Sequence, residues 1–190
     1  MPLGEVSYLQ ILVAKGSTES LVLANLYETA LDDRGRATSI QISEGGIDTQ
    51  LNDLRAGSTD IVVGCAGEIL EYYNPELAQS LAADYAKQSA EDKNSGEWRE
   101  KVYDALQGSL PTSLAATDPS NALGCAESTE LPQNIVPIYR KPNLPRKDRD
   151  VLNIVSGAIT TNDLHTLIEE SANVLSMTES SLEFLRSKGF

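Results

Sequence analysis

Apolar residues fall into two rhythms that alternate along the first third of the chain. Tyr8, Leu9, Ile11, Leu12 and Val13 form a short, nearly continuous apolar run of the kind a buried strand shows. Beyond "AKGSTES", Leu23, Leu26, Tyr27, Ala30 and Leu31 recur at helical spacing, and Ser17 or Thr18 stands where a helix cap belongs. "ATSIQI" (37–42), "DTQLNDLRAG" (48–57) and "TDIVVG" (59–64) then read strand, helix, strand. Such alternation predicts a parallel sheet covered by helices.

The middle of the chain is more helical and more polar. Asn74 and Pro75 give a cap and first turn for "PELAQSLAADYAKQSA", "EDKNSG" breaks that helix, and "EWREKVYDALQG" starts the next. "SLPTSLAATDPSNALGCAES" reads as loops around a short strand, and "NIVPIYR" as a further strand followed by three helices. Thr160 to Asp163 and Ser176 to Glu179 are capping-box patterns that predict the starts of the last two. Leu164, Leu167, Ile168, Ala172 and Leu175 are expected to face the core from the first of these. The fold class is therefore α/β, and 190 residues with 41% hydrophobic content fit one domain.

Candidate chemistry gathers at two strand-to-helix junctions. A helix N-terminus beside Lys15 has free backbone N–H groups and a dipole that favour an anion, although an ordinary capped helix carries the same residues. "SEGGID" (43–48) lies at the carboxyl end of the second strand, where open α/β sheets place ligands; Gly45 and Gly46 fit either close approach to a ligand or a tight turn. Cys65 and Cys125 each follow a short apolar segment and a glycine, in "DIVVGC" and "NALGC". If the two strands are neighbours, a disulfide is feasible and closing a loop of this length is worth roughly 3 to 5 kcal/mol; two buried free thiols are the alternative.

Charge and motif content narrow the function classes. Twenty-eight acidic against 15 basic residues give a formal charge of −13, which opposes binding to nucleic acid or to an anionic membrane. No apolar run approaches the roughly 20 residues of a spanning helix, and "MPLGEVSYLQ" has no signal-peptide pattern. The single histidine, His165, sits in a capped helix away from either cysteine, and the cysteines lack metal-site spacing. Without a Walker loop, a Gly-x-Gly-x-x-Gly run or a Gly-x-Ser-x-Gly elbow, no enzyme activity, metal or cofactor is expected. "RKPNLPRKDR" (140–149) holds five of the 15 bases and reads as a docking patch for an acidic partner or as the solvated entry to a helix.

Taken together, "ILVAKGSTESLVLANLYETAL", "GGIDTQLNDLRAGSTDIVVGCAGEIL", "NIVPIYRKPNLPRKDRDVLNIVSGAITTNDLHTLIEE" and "EFLRSKGF" resemble the substrate-binding proteins of glycine betaine, choline and related osmoprotectant ABC importers. The likeness covers both ends of the chain in the family's order. It implies a type 2 periplasmic-binding-protein fold, here a three-layer α/β sandwich around a mostly parallel, mixed sheet, an extracytoplasmic location as a secreted, periplasmic or lipid-anchored protein whose signal segment has been trimmed, an ABC permease or other envelope protein as partner, and a quaternary-amine solute. It also implies that Lys15 and the Ser17 to Glu19 turn, Thr18 included, form one ligand-facing loop, and Gly45, Gly46 and Ile47 a second.

The sequence departs from that family in two ways. Its members have two lobes, the second inserted within the first, whereas this chain passes from "NALGCAES" to "LPQNIVPIYR" in a few residues. The expectation is a single lobe over residues 1–190, built from an N-terminal part (8–126) and a C-terminal part (131–190). The family's aromatic box holds quaternary ammonium by cation–π attraction. At the matching ligand positions Val62 and Cys65 replace tyrosines and Ala66 replaces a threonine, with Tyr72 and Tyr73 nearby on a helix. In the oxidising compartment so implied, a Cys65–Cys125 disulfide would tie together the former hinge strands. Two readings follow: a solute-binding-like protein with weak or lost capture, in which two copies facing each other could rebuild a cleft, or a single-lobe envelope interaction module with no small-molecule ligand.

Overall fold

Strand and helix follow one another in the order the periodicity predicts, and the strand side chains sort cleanly onto two faces. A computed structural model describes residues 8–125 and 130–190. The opening segment 1–7 and the join at 126–129, including the expected end of the N-terminal part, lie outside the described residues. The strands are β1 (Leu9–Ala14), β2 (Thr38–Ser43), β3 (Ile61–Cys65), β4 (Leu114–Ala116) and β5 (Ile135–Arg140). They form one sheet in the order β2-β1-β3-β5-β4. β2 and β3 pair parallel to β1, while β5 runs antiparallel to both β3 and β4. Four strands thus share one direction and only β5, the "NIVPIYR" segment, opposes them.

Alternation explains the layers. Leu9, Ile11 and Val13 of β1, Ile61 and Val63 of β3, and Ile135 and Tyr139 of β5 point to one face. There they meet α1 (Thr18–Asp33), α7 (Arg146–Ala158), α8 (Thr161–Glu170) and α9 (Val174–Ser187). The interleaved Leu12, Val62, Val136 and Ile138 point to the other face, covered by α2 (Ile47–Ala56), α3 (Ala66–Tyr73), α4 (Pro75–Ala86) and α6 (Gly96–Ser109). α1 lies deepest: Val22, Leu23, Leu26, Tyr27, Ala30 and Leu31 are all fully buried, and the Tyr27 hydroxyl lies 2.7 Å from that of Ser156 on α7. Asn25 accepts from Ser181 on α9 at 2.7 Å, so polar contacts as well as apolar ones fix the C-terminal helices to α1.

Three local expectations are corrected. The helix predicted to run to Ala90 ends at Ala86, and "EDKNSG", expected only to interrupt, contributes most of a one-turn helix, α5 (Ala90–Asn94), capped by Ser89. The last helix begins earlier than Ser176: Asn173 is its cap and Ser176 the third helical residue that bonds back, so the box sits three residues upstream. Ala172 and Leu175 do not face the core; α8 ends at Glu170, Ala172 is exposed and Leu175 is 78% exposed. Leu164 and Leu167 are buried as predicted, and the Thr160–Asp163 box is formed from both sides. The basic run "RKPNLPRKDR" makes the end of β5, a short 3₁₀ turn (Lys141–Asn143) and the start of α7, where Arg146 and Lys147 are exposed and Asp148 is buried. No helix among the described residues is long and apolar enough to cross a membrane.

Candidate functional site

The order β2-β1-β3 places a topological switch at the carboxyl ends of β1 and β3. α1 leaves β1 on one face of the sheet and α2 arrives at β3 from the other, so the two helices diverge and leave a crevice. A cleft of about 660 Å³ opens there, within the size range of small-molecule sites. Its wall combines the β1–α1 turn (Ala14 to Ser17), Glu19 and Ser20 of α1, the start of α2 (Gly46, Ile47, Gln50), the end of β3 (Val63, Gly64), Glu68 of α3, and Cys125.

The N-termini of three helices meet at this cleft. Ser17 caps α1 by accepting from the backbone N–H of Ser20. α3 starts at Cys65 and is partly satisfied from outside, since Ala66 N–H donates to the Asn134 carbonyl and Glu68 N–H to Oε1 of Gln133. α2 differs from both: it starts at Gly46 and no side chain caps it. Its first N–H groups and dipole end are therefore the natural place for an acceptor on a bound molecule. Glycine is needed beside it, because a Cβ on Gly45 would come within 2.5 Å of Thr49. One on Gly64 would crowd the side chains of Ile69 and Ile47 that close over β3.

The charges around the cleft are of both signs. Lys15 is exposed and already paired with Glu44 at 2.7 Å, so much of its charge is met at the surface. Burial raises the Glu68 carboxyl above its usual range, and the neighbouring Glu71 raises it further. Gln50 is 1% exposed, and its Oε1 is buried without a hydrogen-bond partner among the described residues. Among the described residues no aromatic ring lines the cleft.

The structure distributes the sequence candidates unevenly. Lys15, Ser17, Glu19, Gly46 and Ile47 come together on the cleft wall. Thr18 is the exposed first residue of α1 and outside the wall, while Cys65 and Ala66 are buried at the β3–α3 junction behind it. Cys65 and Cys125 form a disulfide, with their Cα atoms 6.3 Å apart. Both sulfurs lie within 4.8 Å of the Glu68 carboxylate, but bonded to each other they are not thiolate ligands for a metal. Tyr72 and Tyr73 contact each other edge to face at the end of α3, where the Tyr72 hydroxyl donates to Asn52. Sequence reasoning missed Gln50, Val63, Gly64 and Glu68. Gln50 was in principle detectable, since positions 50, 51 and 54 fall on one side of α2, the side that is buried.

No protein-family model and no curated protein matches the chain. Several solved structures are similar in fold, TRAP periplasmic solute-binding proteins and an ABC transporter protein among them. Apo YehZ from Escherichia coli superposes with a TM-score of 0.66 at 13% identity, over 97% of this chain and 99% of its own. A glycine betaine/carnitine/choline ABC transporter protein gives 0.54 at 14%, over 94% and 98%. A TRAP periplasmic solute-binding protein from Pseudomonas putida F1, solved with bound D-glucuronate, gives 0.56 at 6%, over 95% and 85%. At such identities the likeness establishes the fold, a periplasmic-binding-protein-like mixed α/β sheet between two helical layers.

Proposed function

We propose that this protein is an extracytoplasmic solute-binding-like protein, a single lobe related to the binding component of glycine betaine and choline ABC importers, that captures a small solute weakly. The observation that carries this reading is the cleft at the carboxyl ends of β1 and β3, bounded by the uncapped start of α2. A carboxylate on the solute meets the α2 N-terminus, where N–H groups and dipole act together. Capture is weak because, among the described residues, the wall has none of the aromatic faces that make desolvated cation–π contacts strong. The disulfide fits an oxidising compartment, and an ABC permease is the corresponding partner. Two copies facing each other across the cleft would enclose the solute more fully.

Calorimetric titration with glycine betaine, carnitine, proline and choline tests this. The three solutes with a carboxylate should give saturable heats in the micromolar to millimolar range, and choline, which has none, should give no heat. Silence from all four would favour the second reading, an envelope interaction module that retains the scaffold without a ligand; the absence of rings from the cleft wall is the observation on its side. Light scattering in the same solutions reads the oligomeric state.

A further inference from the structure

We infer that the Cys65–Cys125 disulfide is open to exchange from the cleft: a small thiol entering there attacks the bond at Cys125, is held as a mixed disulfide, and leaves Cys65 as the inner thiol that closes the bond again. The inference uses the cleft as an entrance and stands whether or not the cleft captures a solute.

The two sulfurs differ in reach. Cys125 is partly exposed and lines the cleft, whereas Cys65 is 0% exposed at the β3–α3 junction. A thiolate attacks one sulfur and expels the other, so approach from the cleft makes Cys125 the sulfur attacked and Cys65 the one that leaves. The backbone suits those roles. Cys65 is the N-cap residue of α3, a place where the helix dipole favours a thiolate, and its pairing with Ile135 keeps it in position for the reverse attack. Cys125 has φ of 49° and is the one non-glycine residue at positive φ among the described residues, a strained conformation that opening the bond leaves free to relax.

One S–S bond forms as one breaks. The incoming thiolate bonds to Sγ of Cys125, and the electron pair of the old bond stays on Sγ of Cys65. That sulfur takes a proton from cleft water by way of the Glu68 carboxyl, which lines the cleft within 4.8 Å of both sulfurs. A monothiol stops at this stage, while a dithiol goes on to free Cys125 and leaves as its own cyclic disulfide.

The test follows the oxidised whole chain in native buffer with excess glutathione. Acid stops the exchange, the unfolded chain is alkylated with N-ethylmaleimide, and peptide mass mapping locates each group. Glutathione on Cys125 with maleimide on Cys65 is the expected pattern. Single-cysteine variants make the same comparison where re-closure keeps the adduct scarce. With glutathione disulfide, Cys65→Ala should be thiolated at Cys125 about 100-fold or more faster than Cys125→Ala is at Cys65, and the two rates should converge in urea, where burial no longer separates them. If either variant does not fold, the rate at which dithiothreitol reduces the oxidised chain decides. Exchange through the cleft stays flat in urea below the unfolding transition, whereas exchange that waits for unfolding climbs steeply with urea. Glutathione on Cys65 or divided equally, equal rates for the folded variants, or reduction that tracks unfolding would overturn the inference and leave the disulfide a purely structural crosslink.

Discussion

Reducing the Cys65–Cys125 bond should lower stability by an amount set by the chain it encloses. The two cysteines are 60 residues apart, and α3 to α6 and β4 all lie within the loop they close. In the chain-entropy model a loop of that length removes about 14 cal/mol/K from the unfolded ensemble, or about 4 kcal/mol at 25 °C. For a domain of this size a urea m value near ~2 kcal/mol/M turns that into a midpoint shift of about 2 M. The folded state should change little, because Cys65 is held at the end of β3 by pairing with Ile135 whether or not the sulfurs are joined. The assay is urea unfolding followed by far-ultraviolet circular dichroism, oxidised and after reduction, with the Cys65→Ala/Cys125→Ala variant alongside. The m value should also rise on reduction, since the released chain exposes more surface when unfolded. Coincident midpoints for oxidised and reduced protein would refute the reasoning.

Other perturbations probe different parts of the fold. Arg36, in the α1–β2 turn, and Asp148, in the first turn of α7, form a buried ion pair at 3.1 Å; Arg36→Ala should lower the urea midpoint by removing the cation that faces this buried carboxylate. Tyr27→Phe should cost about 1 to 3 kcal/mol, because it strips the buried Ser156 hydroxyl of its partner. Burial first and Asp32 second raise the Glu28 carboxyl above its ordinary value of 4.5. The folded state therefore holds that proton more tightly than the unfolded state does, and stability falls as pH rises from 4.5 through the raised native value. Glu28→Gln should accordingly raise the melting temperature at pH 7 and leave it unchanged below the carboxylate range.

The sheet was legible where a strand is buried on both faces or leads straight into a capped helix. β1, β3 and β5 are nearly continuous apolar runs, and the "GST" turn marks the start of α1 through Ser17. The boundaries that misled are ones where equivalent caps compete. Asn173 and Ser176 both suit a helix start; Asn173 takes the cap, and Ser176 bonds back to it as the third helical residue. Leu175 kept the apolar rhythm of α8, but Ser171 ends that helix and the next turn carries Leu175 into solvent.

The site was half legible for a comparable reason. Lys15, Ser17, Gly46 and Ile47 belong to turns whose residue types are distinctive in any context. Gln50 and Glu68 are ordinary polar residues of amphipathic helices until the switch between β1 and β3 brings their helix starts to a common cleft. Their significance lies in burial and in an unpaired oxygen, neither of which local sequence carries.

The most direct test of solute capture at this cleft is to follow backbone amide resonances during titration with glycine betaine and with L-proline. Saturable shifts concentrated at Lys15 to Ser17, Gly46, Ile47 and Gly64 are the predicted result. Shifts confined to other surfaces, or none at millimolar solute, would contradict it.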